Sequence, residues 1–158
     1  MKKRLKWIIL CHIFLPFQAL AQMHTDDMNY WIEKYQSVSY PLKSIHISSS
    51  YGKRADPFTG KGRFHQGIDL EAKYGVVFAM FDAEIKRVGY DPMSGNFITL
   101  KAGNYTISYC HLSEIWVKED ELVYAGQELG RSGSTGRATG PHLHISCRLH
   151  GKIENPYH

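Results

Sequence analysis

Residues 140–148 read GPHLHISCR, and their pattern indicates a strand that carries two histidines on one side. Side chains at positions i and i+2 of a β-strand point to the same face, so His142 and His144 share a face while Leu143 points into a core. Two imidazoles on one face can bind one metal ion. The same pattern also fits two surface histidines that flank a core leucine, so this segment alone leaves both interpretations open.

A second pair of metal-binding residue types lies in residues 65–69, HQGID. His65 and Asp69 would converge if the backbone bends between them, and Gly67 permits such a bend because it lacks a Cβ atom. A histidine and a carboxylate are plausible zinc ligands. The spacing is common by chance, so its significance depends on the other histidines.

A third segment, residues 109–113 with the sequence YCHLS, adds His111 at the end of a predicted strand. Together the three segments hold four histidines and one aspartate. Three protein groups suffice for a catalytic zinc, which keeps its fourth position open. Two histidines then remain for proton transfer and transition-state stabilisation, and this surplus favours a catalytic site over a structural one.

The sequence beyond position 45 predicts a mainly β protein, folded as a compact antiparallel sheet or sandwich. Short runs of strand-forming residues alternate with turn residues such as Gly, Pro, Asn and Asp. The predicted strands are 67–70, 76–80, 84–89, 96–101, 105–110 and 142–148. Turn residues dominate 48–62, a single helical turn is predicted at 112–116, and glycines punctuate a long loop at 126–140.

Two cysteines, Cys110 and Cys147, lie in predicted strands beside the metal-binding candidates. If these strands alternate regularly, Cys110 points away from His111 and Cys147 points away from His144, so neither thiol is a good ligand candidate. The sequence does not define the distance between the two Cα atoms that a disulfide requires. A disulfide and two buried free thiols therefore both remain open.

Residues 1–21, MKKRLKWIILCHIFLPFQALA, have the features of a secretory signal peptide. Four basic residues precede an apolar run, and the final Ala-Leu-Ala fits the small-x-small rule for cleavage. The run is shorter than the ~20 apolar residues of a membrane span. These four cations account for the formal charge of +4. We therefore expect an exported, formally neutral mature chain, periplasmic or secreted, without a transmembrane segment or a nucleic-acid partner.

An N-terminal helical extension is predicted at residues 22–41. Within it, 25–38 has apolar residues at helical spacing and indicates one amphipathic helix, which ends before Pro41. We expect this helix to pack on the main domain, residues 42–158. A pro-segment that shields an active site is the alternative.

From about residue 48 to residue 157, the chain resembles the lysostaphin/LytM-type zinc metallopeptidases, which cut the peptide part of peptidoglycan. The motifs that carry the resemblance are Tyr51-Gly52-Lys53-Arg54 with Asp56-Pro57, segments 65–69 and 109–113, residues 125–130, residues 132–136 leading into 140–144, and Asn155-Pro156. Several motifs in the family's order make the resemblance specific.

The resemblance implies a lysostaphin-like, duplicated-hybrid-motif-like β domain with a groove over one zinc ion. His65, Asp69 and His144 would bind the zinc. His142 would be the general base that activates the zinc-bound water, and His111 would orient or stabilise the tetrahedral intermediate and share the acid–base work. Residues 42–158 would then be a zinc metallopeptidase domain.

The predicted function is that of an exported zinc metalloendopeptidase, a monomeric peptidoglycan hydrolase that cuts stem or cross-link peptides through a zinc-activated water. The alternative is a non-enzymatic wall-binding module that regulates another cell-wall hydrolase. A domain with a purely structural zinc is disfavoured by the two additional histidines. The bond cut stays open between a D-Ala–diaminopimelate cross-link and a glycine bridge.

Overall fold

The β-strands follow the alternation of apolar and polar residues, as the last long strand illustrates. Within His142–Leu149, Leu143 and Ile145 are buried, whereas His142 and His144 are only partly covered. A computed structural model describes residues 38–156. These residues contain strands and turns and no helix, so the predicted mainly β fold is confirmed.

Thirteen strands make up the described part of the chain. They are β1 (Ile47–Ser49), β2 (Gly52–Ala55), β3 (Gly62–His65), β4 (Ile68–Glu71), β5 (Val76–Phe78), β6 (Ala83–Asp91), β7 (Gly95–Ala102), β8 (Tyr105–Leu112), β9 (Glu114–Ile115), β10 (Leu122–Val123), β11 (Glu128–Arg131), β12 (His142–Leu149) and β13 (Lys152–Glu154).

Strand β12 lies inside a large antiparallel sheet, between β4 and β8. The sheet has eight strands in the order β1-β4-β12-β8-β7-β6-β10, with β13 paired to β12. A second sheet has the order β5-β11-β9, and β2 and β3 form a separate hairpin. The position of β12 matters because residues from β4 and β8 lie directly beside its histidines.

The two faces of the large sheet differ in polarity. One face is apolar and packs in the core, where it meets side chains from the three-stranded sheet such as Val77 and Leu129. Core residues of the large sheet include Ile85, Ile98, Leu100, Ile107, Tyr109, Leu143 and Ile145. The opposite face carries the histidines of β12 and is open to a groove.

The predicted helical turn at 112–116 is wrong, because Glu114 and Ile115 form β9 and pair with β11. The pairing depends on Gly130: a Cβ atom there would lie 2.2 Å from the backbone oxygen of Glu114. The turn-rich stretch 48–62 also contains β2 and the turn that joins it to β3 in a hairpin. Glycine and turn residues in these segments allow two strands to approach each other closely. The secondary-structure propensities of neighbouring residues do not predict such pairings.

The signal peptide predicted at 1–21 and nearly all of the helix predicted at 25–38 lie outside the described residues. Val38, the last residue of that helix prediction, forms an isolated β-bridge with Phe81. Both segments stay predictions.

No helix long and apolar enough to cross a membrane occurs among residues 38–156.

Candidate active site

Three groups predicted as metal ligands meet on the polar face of the large sheet. The pairing of β12 with β4 sets His144 opposite Asp69, and His144 Nδ1 lies 2.7 Å from Asp69 Oδ1. His65, at the end of β3, brings its Nε2 atom to 3.2 Å from Asp69 Oδ1 and 3.1 Å from His144 Nδ1. The three atoms therefore form a tight triangle.

Gly67 allows the chain to bend between His65 and Asp69. A Cβ atom at this position would lie 2.2 Å from the backbone oxygen of Ile145 and 2.8 Å from the ring of His144. A larger residue would therefore push the segment away from β12. The bend anticipated from the sequence depends on this absence of a side chain.

Neighbouring groups orient the donor atoms toward the triangle. The Nδ1–H of His65 donates to the backbone oxygen of Ser50 at 2.9 Å, so its Nε2 lone pair faces inward. Arg54 donates to Asp69 Oδ2 at 3.4 Å and leaves Oδ1 for the triangle. Such contacts fix the tautomer and rotamer of metal-binding side chains.

Asp69 is ionised in this environment. Burial on its own would raise the pKa of Asp69, but hydrogen bonds and charge interactions with His144 and His65 outweigh it. The pKa of the carboxyl group therefore lies well below its usual range.

The chemistry and spacing of the triangle fit zinc. Two imidazole nitrogens and one carboxylate oxygen form a donor set of catalytic zinc sites. Zinc–ligand bonds of about 2.0–2.1 Å place tetrahedral ligand atoms ~3.3 Å apart. The observed separations of 2.7, 3.1 and 3.2 Å are close to that value, so small side-chain shifts would accommodate an ion.

Two further histidines, His142 and His111, lie beside the triangle with their rings 4.6 Å apart. The Nδ1–H of His142 donates to the backbone oxygen of Gly140 at 2.8 Å, and its Nε2 lies 3.7 Å from Asp69 Oδ1. The Nδ1–H of His111 donates to the backbone oxygen of Thr135, also at 2.8 Å. In neutral form, each ring therefore keeps its lone pair at Nε2.

His111 occupies a strained position on β8. Its φ angle is 62°, an uncommon value for a residue other than glycine, and its backbone N–H donates to the oxygen of Ser94 at 2.7 Å. Burial lowers the pKa of His111 to about 4, despite the opposing effect of the bond to Thr135. This ring is neutral at pH 7.

The expectation for Cys110 is wrong, whereas that for Cys147 holds. Cys110 pairs directly with His144 and lines the groove, because it alternates with the core residue Tyr109. The positive φ of His111 then keeps the next side chain on the groove side as well. Cys147 pairs with Ile107 and packs against the core. Both cysteines are free thiols.

The sequence motif at 51–57 contains a further residue whose role the sequence did not reveal. Asp56 is 6% exposed and accepts hydrogen bonds from Arg63 and Arg137 at 3.0 and 2.8 Å. It also accepts the backbone N–H groups of Phe58 and Thr59. The Asp-Pro pair signalled a turn, but its long-range partner, Arg137, had no signal of its own.

The three triangle residues, His111 and His142 border one groove of about 910 Å³ on the polar face of the large sheet. The profile of peptidase family M23 matches residues 63–156. The chain belongs to this family. M23 peptidases are zinc metallopeptidases, as the resemblance to the lysostaphin/LytM type had indicated, so this prediction is confirmed.

A relative with a named activity supports the assignment to family M23. The M23 chain is 35% identical over 133 residues to the peptidoglycan DD-endopeptidase ShyC of Vibrio cholerae, an alignment that covers 82% of this chain and 31% of ShyC. The chain thus spans about a third of the length of this relative.

Two solved structures share the fold. A zinc-containing peptidase from Vibrio cholerae has a TM-score of 0.69 and 32% identity, over 75% of this chain and 39% of that one. The catalytic domain of lysostaphin from Staphylococcus simulans has a TM-score of 0.65 and 30% identity, over 72% of this chain and 90% of that domain. The lysostaphin-like fold class is therefore confirmed.

Proposed function

We propose that this M23 chain is an exported zinc endopeptidase that hydrolyses peptide cross-links of bacterial peptidoglycan, using a water activated at the triangle of His65, Asp69 and His144. The observation that carries the proposal is the convergence of these three donor atoms within a groove, with two unligated histidines beside them. A purely structural metal would not need the two additional imidazoles.

The residues that would hold zinc are His65 through Nε2, Asp69 through Oδ1 and His144 through Nδ1. When bound, zinc supplies a Lewis acid that polarises a carbonyl group and lowers the pKa of water to about 7. The three side chains are pre-oriented for this task, since Ser50 and Arg54 hold two of them from outside the triangle.

His142 is the proposed general base. Its bond to the backbone oxygen of Gly140 fixes the proton on Nδ1 and directs the Nε2 lone pair toward the triangle. That atom accepts a proton from the attacking water and returns it to the leaving amine. The backbone bond persists in both protonation states, so the ring keeps its orientation during the transfer.

His111 assists as a neutral ring. Its Nε2 accepts a hydrogen bond from the attacking water and so orients the water, because Nδ1–H is already engaged with Thr135. The ring donates to a developing oxyanion only after it gains a proton. Its strained backbone places the imidazole beside His142 rather than on the apolar side of β8.

Peptidoglycan as the substrate is supported by the relatives. ShyC is named a peptidoglycan DD-endopeptidase, and its similarity covers 82% of this chain. A substrate in the cell wall also agrees with the signal peptide predicted at residues 1–21, which supports a periplasmic or secreted location.

The proposal is tested with purified mature protein and isolated sacculi. The protein should release new free amines in the presence of zinc, stop when a chelator is added, and resume when zinc is restored. Mass spectrometry of the products would identify the bond. A protein that binds zinc and sacculi but releases no amine would refute the enzyme and favour a regulatory wall-binding module.

A further inference from the structure

A row of three hydroxyl groups and one arginine crosses the groove floor next to the histidines. Ser146 on β12 pairs with Ser108 on β8, Ser108 pairs with Thr99 on β7, and Thr99 pairs with Arg87 on β6. Directly paired residues of an antiparallel sheet share a face. All four line the groove, and we call the three hydroxyl residues, Ser146, Ser108 and Thr99, the hydroxyl row.

The hydroxyl row lies one strand repeat away from the candidate zinc ligands. Ser146 follows His144 by two residues on the same face of β12, which corresponds to about 7 Å along the strand. An extended peptide with its scissile bond at the triangle would therefore place a neighbouring side chain or terminus over the row.

Two arginines beside the row have unused hydrogen-bonding capacity. The guanidinium of Arg87 lies over the Phe97 ring at 5.2 Å, and Arg148, two residues after Ser146, donates one bond to the backbone oxygen of Gly151 at 3.4 Å. Among residues 38–156, neither forms an ion pair with a carboxylate within 4.0 Å.

The other arginines of the groove are occupied by carboxylates. Arg54 pairs with Asp69, and Arg63 and Arg137 pair with Asp56. The positive charges of Arg87 and Arg148 are therefore less neutralised by carboxylates than those of the arginines near the β2–β3 hairpin.

One acidic side chain, Asp91, lies four residues after Arg87 on β6 and also lines the groove. Its Oδ1 atom accepts the backbone N–H groups of Met93 and Ser94 at 2.8 and 2.7 Å. The backbone bond from Ser94 is the main cause that lowers the pKa of Asp91, and the nearby charge of Arg87 adds to it. No ion pair within 4.0 Å joins Asp91 to Arg87, so the donor groups of Arg87 are not bound by this carboxylate.

We propose that the hydroxyl row, with Arg87 and Arg148, is a subsite that binds a carboxylate of the substrate peptide and so selects acidic cross-links over glycine bridges. This inference rests on the proposed function. Guanidinium groups bind carboxylates by strong, directional hydrogen bonds, and hydroxyls complete the acceptor's coordination. Stem peptides that contain glutamate and diaminopimelate carry several carboxylates, whereas a glycine bridge carries none.

The test compares four soluble cross-linked stem peptides. One is unmodified, and each of the others has one carboxylate converted to an amide: that of glutamate, of diaminopimelate or of the terminal D-Ala. The variants are Arg87→Gln and Arg148→Gln in the mature holoprotein. Arg131→Gln is the matched control, since this arginine pairs with Glu114 and lies over Trp116 outside the groove lining.

One amide should lower the kcat/KM of the wild type by about tenfold, mainly through KM, because a charge-assisted contact is lost. Arg87→Gln or Arg148→Gln should lower kcat/KM for the unmodified peptide by a similar factor. For the amidated peptide that the wild type cuts more slowly, kcat/KM of the variant should equal that of the wild type. The identity of the sensitive amide assigns the carboxylate. Arg131→Gln should match the wild type with all four peptides.

The subsite would be overturned if both groove variants lowered kcat/KM equally for all four peptides, or if no amide affected the wild type. Binding of the unmodified peptide, followed by calorimetry, separates this proposal from the enzyme itself. A wild type that binds the peptide through Arg87 or Arg148 without cutting it would overturn the proposed function and support the subsite.

Discussion

Asp56 accepts a hydrogen bond from Arg137 at 2.8 Å, although the two residues lie 81 positions apart. The other carboxylate oxygen of Asp56 accepts one from Arg63 at 3.0 Å. The guanidinium of Arg137 also lies over the Phe58 ring, 4.5 Å from its centroid. Asp56 therefore joins the β2–β3 hairpin to the loop before β12, which are two borders of the groove.

This carboxylate should make stability depend on acid. Burial alone would raise the pKa of Asp56, but the bonds from Arg63, the backbone and Arg137 hold it well below the ordinary value of 3.8. As the pH falls below about 4, Asp56 binds a proton in the unfolded chain but not in the folded protein. The contribution of Asp56 to the free energy of unfolding is therefore present above about pH 4 and is lost as the pH falls further.

The variant Asp56→Asn should remove that part of the acid dependence and lower the thermal midpoint at pH 7. Denaturant titrations at pH 7 and pH 3 measure the first effect. Hydrogen exchange should show faster exchange in 56–61 and 132–141, with little change in β7. Equal acid dependence in both proteins would contradict the role assigned to Asp56.

Gly67→Ala should destabilise the fold and weaken zinc binding. The new Cβ atom would meet the backbone oxygen of Ile145 at 2.2 Å and the ring of His144 at 2.8 Å, and a backbone oxygen has little freedom to move. Overpacking of this kind costs about 1–3 kcal/mol. Chemical denaturation and zinc titration measure the two effects.

Gly62→Ala provides the matched control, because a Cβ atom there has no neighbour within 4 Å. Its stability should stay within about 0.5 kcal/mol of the wild type. If both variants lost the same stability, the contact with β12 would not explain the loss at Gly67.

The ligand and base assignments predict separable defects. His144→Ala should lose zinc and activity together. His142→Ala should retain zinc while kcat/KM falls by about 10²–10⁴-fold, since its Nε2 serves proton transfer. Metal analysis of the purified proteins and peptide hydrolysis measure the two properties.

His46→Ala is the control for these histidine variants. His46 is exposed, and its Nδ1 atom contacts the Ser44 hydroxyl at 3.2 Å. It should keep both zinc and activity. A His142→Ala protein with full activity would exclude this residue as the general base.

Local sequence patterns predicted those structural features that depend only on residues close together in the chain. The alternation in β12 showed that His142 and His144 face away from Leu143, and the structure has this arrangement. The direct pairing of His144 with Asp69 spans 75 positions, so no local pattern contains it, and it entered through the family resemblance. The interrupted alternation at His111 depends on its positive φ, which the sequence does not indicate.

The two thiols should differ in reactivity because they differ in burial. Cys110 is 7% exposed, and burial raises its thiol pKa to about 12, so almost no thiolate is present at pH 8. Iodoacetamide should therefore modify the partly exposed Cys147 first, as peptide mapping would show. In urea both should react at similar rates. Faster labelling of Cys110 in the folded protein would contradict its burial beside His144.

His111 should produce a second pH dependence of stability, in a less acidic range than that of Asp56. Its folded pKa is about 4, against an ordinary value of 6.5, chiefly because burial disfavours the charged ring. Between these values the unfolded chain binds more protons than the folded chain, so stability falls as the pH drops from about 6.5 to about 4. The contribution is on the order of 2 kcal/mol, after allowance for screening by water in the groove that the ring lines.

His111→Asn isolates this effect, because asparagine tolerates positive φ and does not titrate. Unfolding free energies of both proteins, measured at pH 7 and pH 4.5 with the same zinc concentration, should converge at the lower pH, since the variant loses less stability. The shared zinc ligands cancel in this comparison. Parallel curves would show that His111 accepts a proton as readily in the folded protein as in the unfolded chain, and the ring would then be charged rather than neutral beside His142 in weak acid.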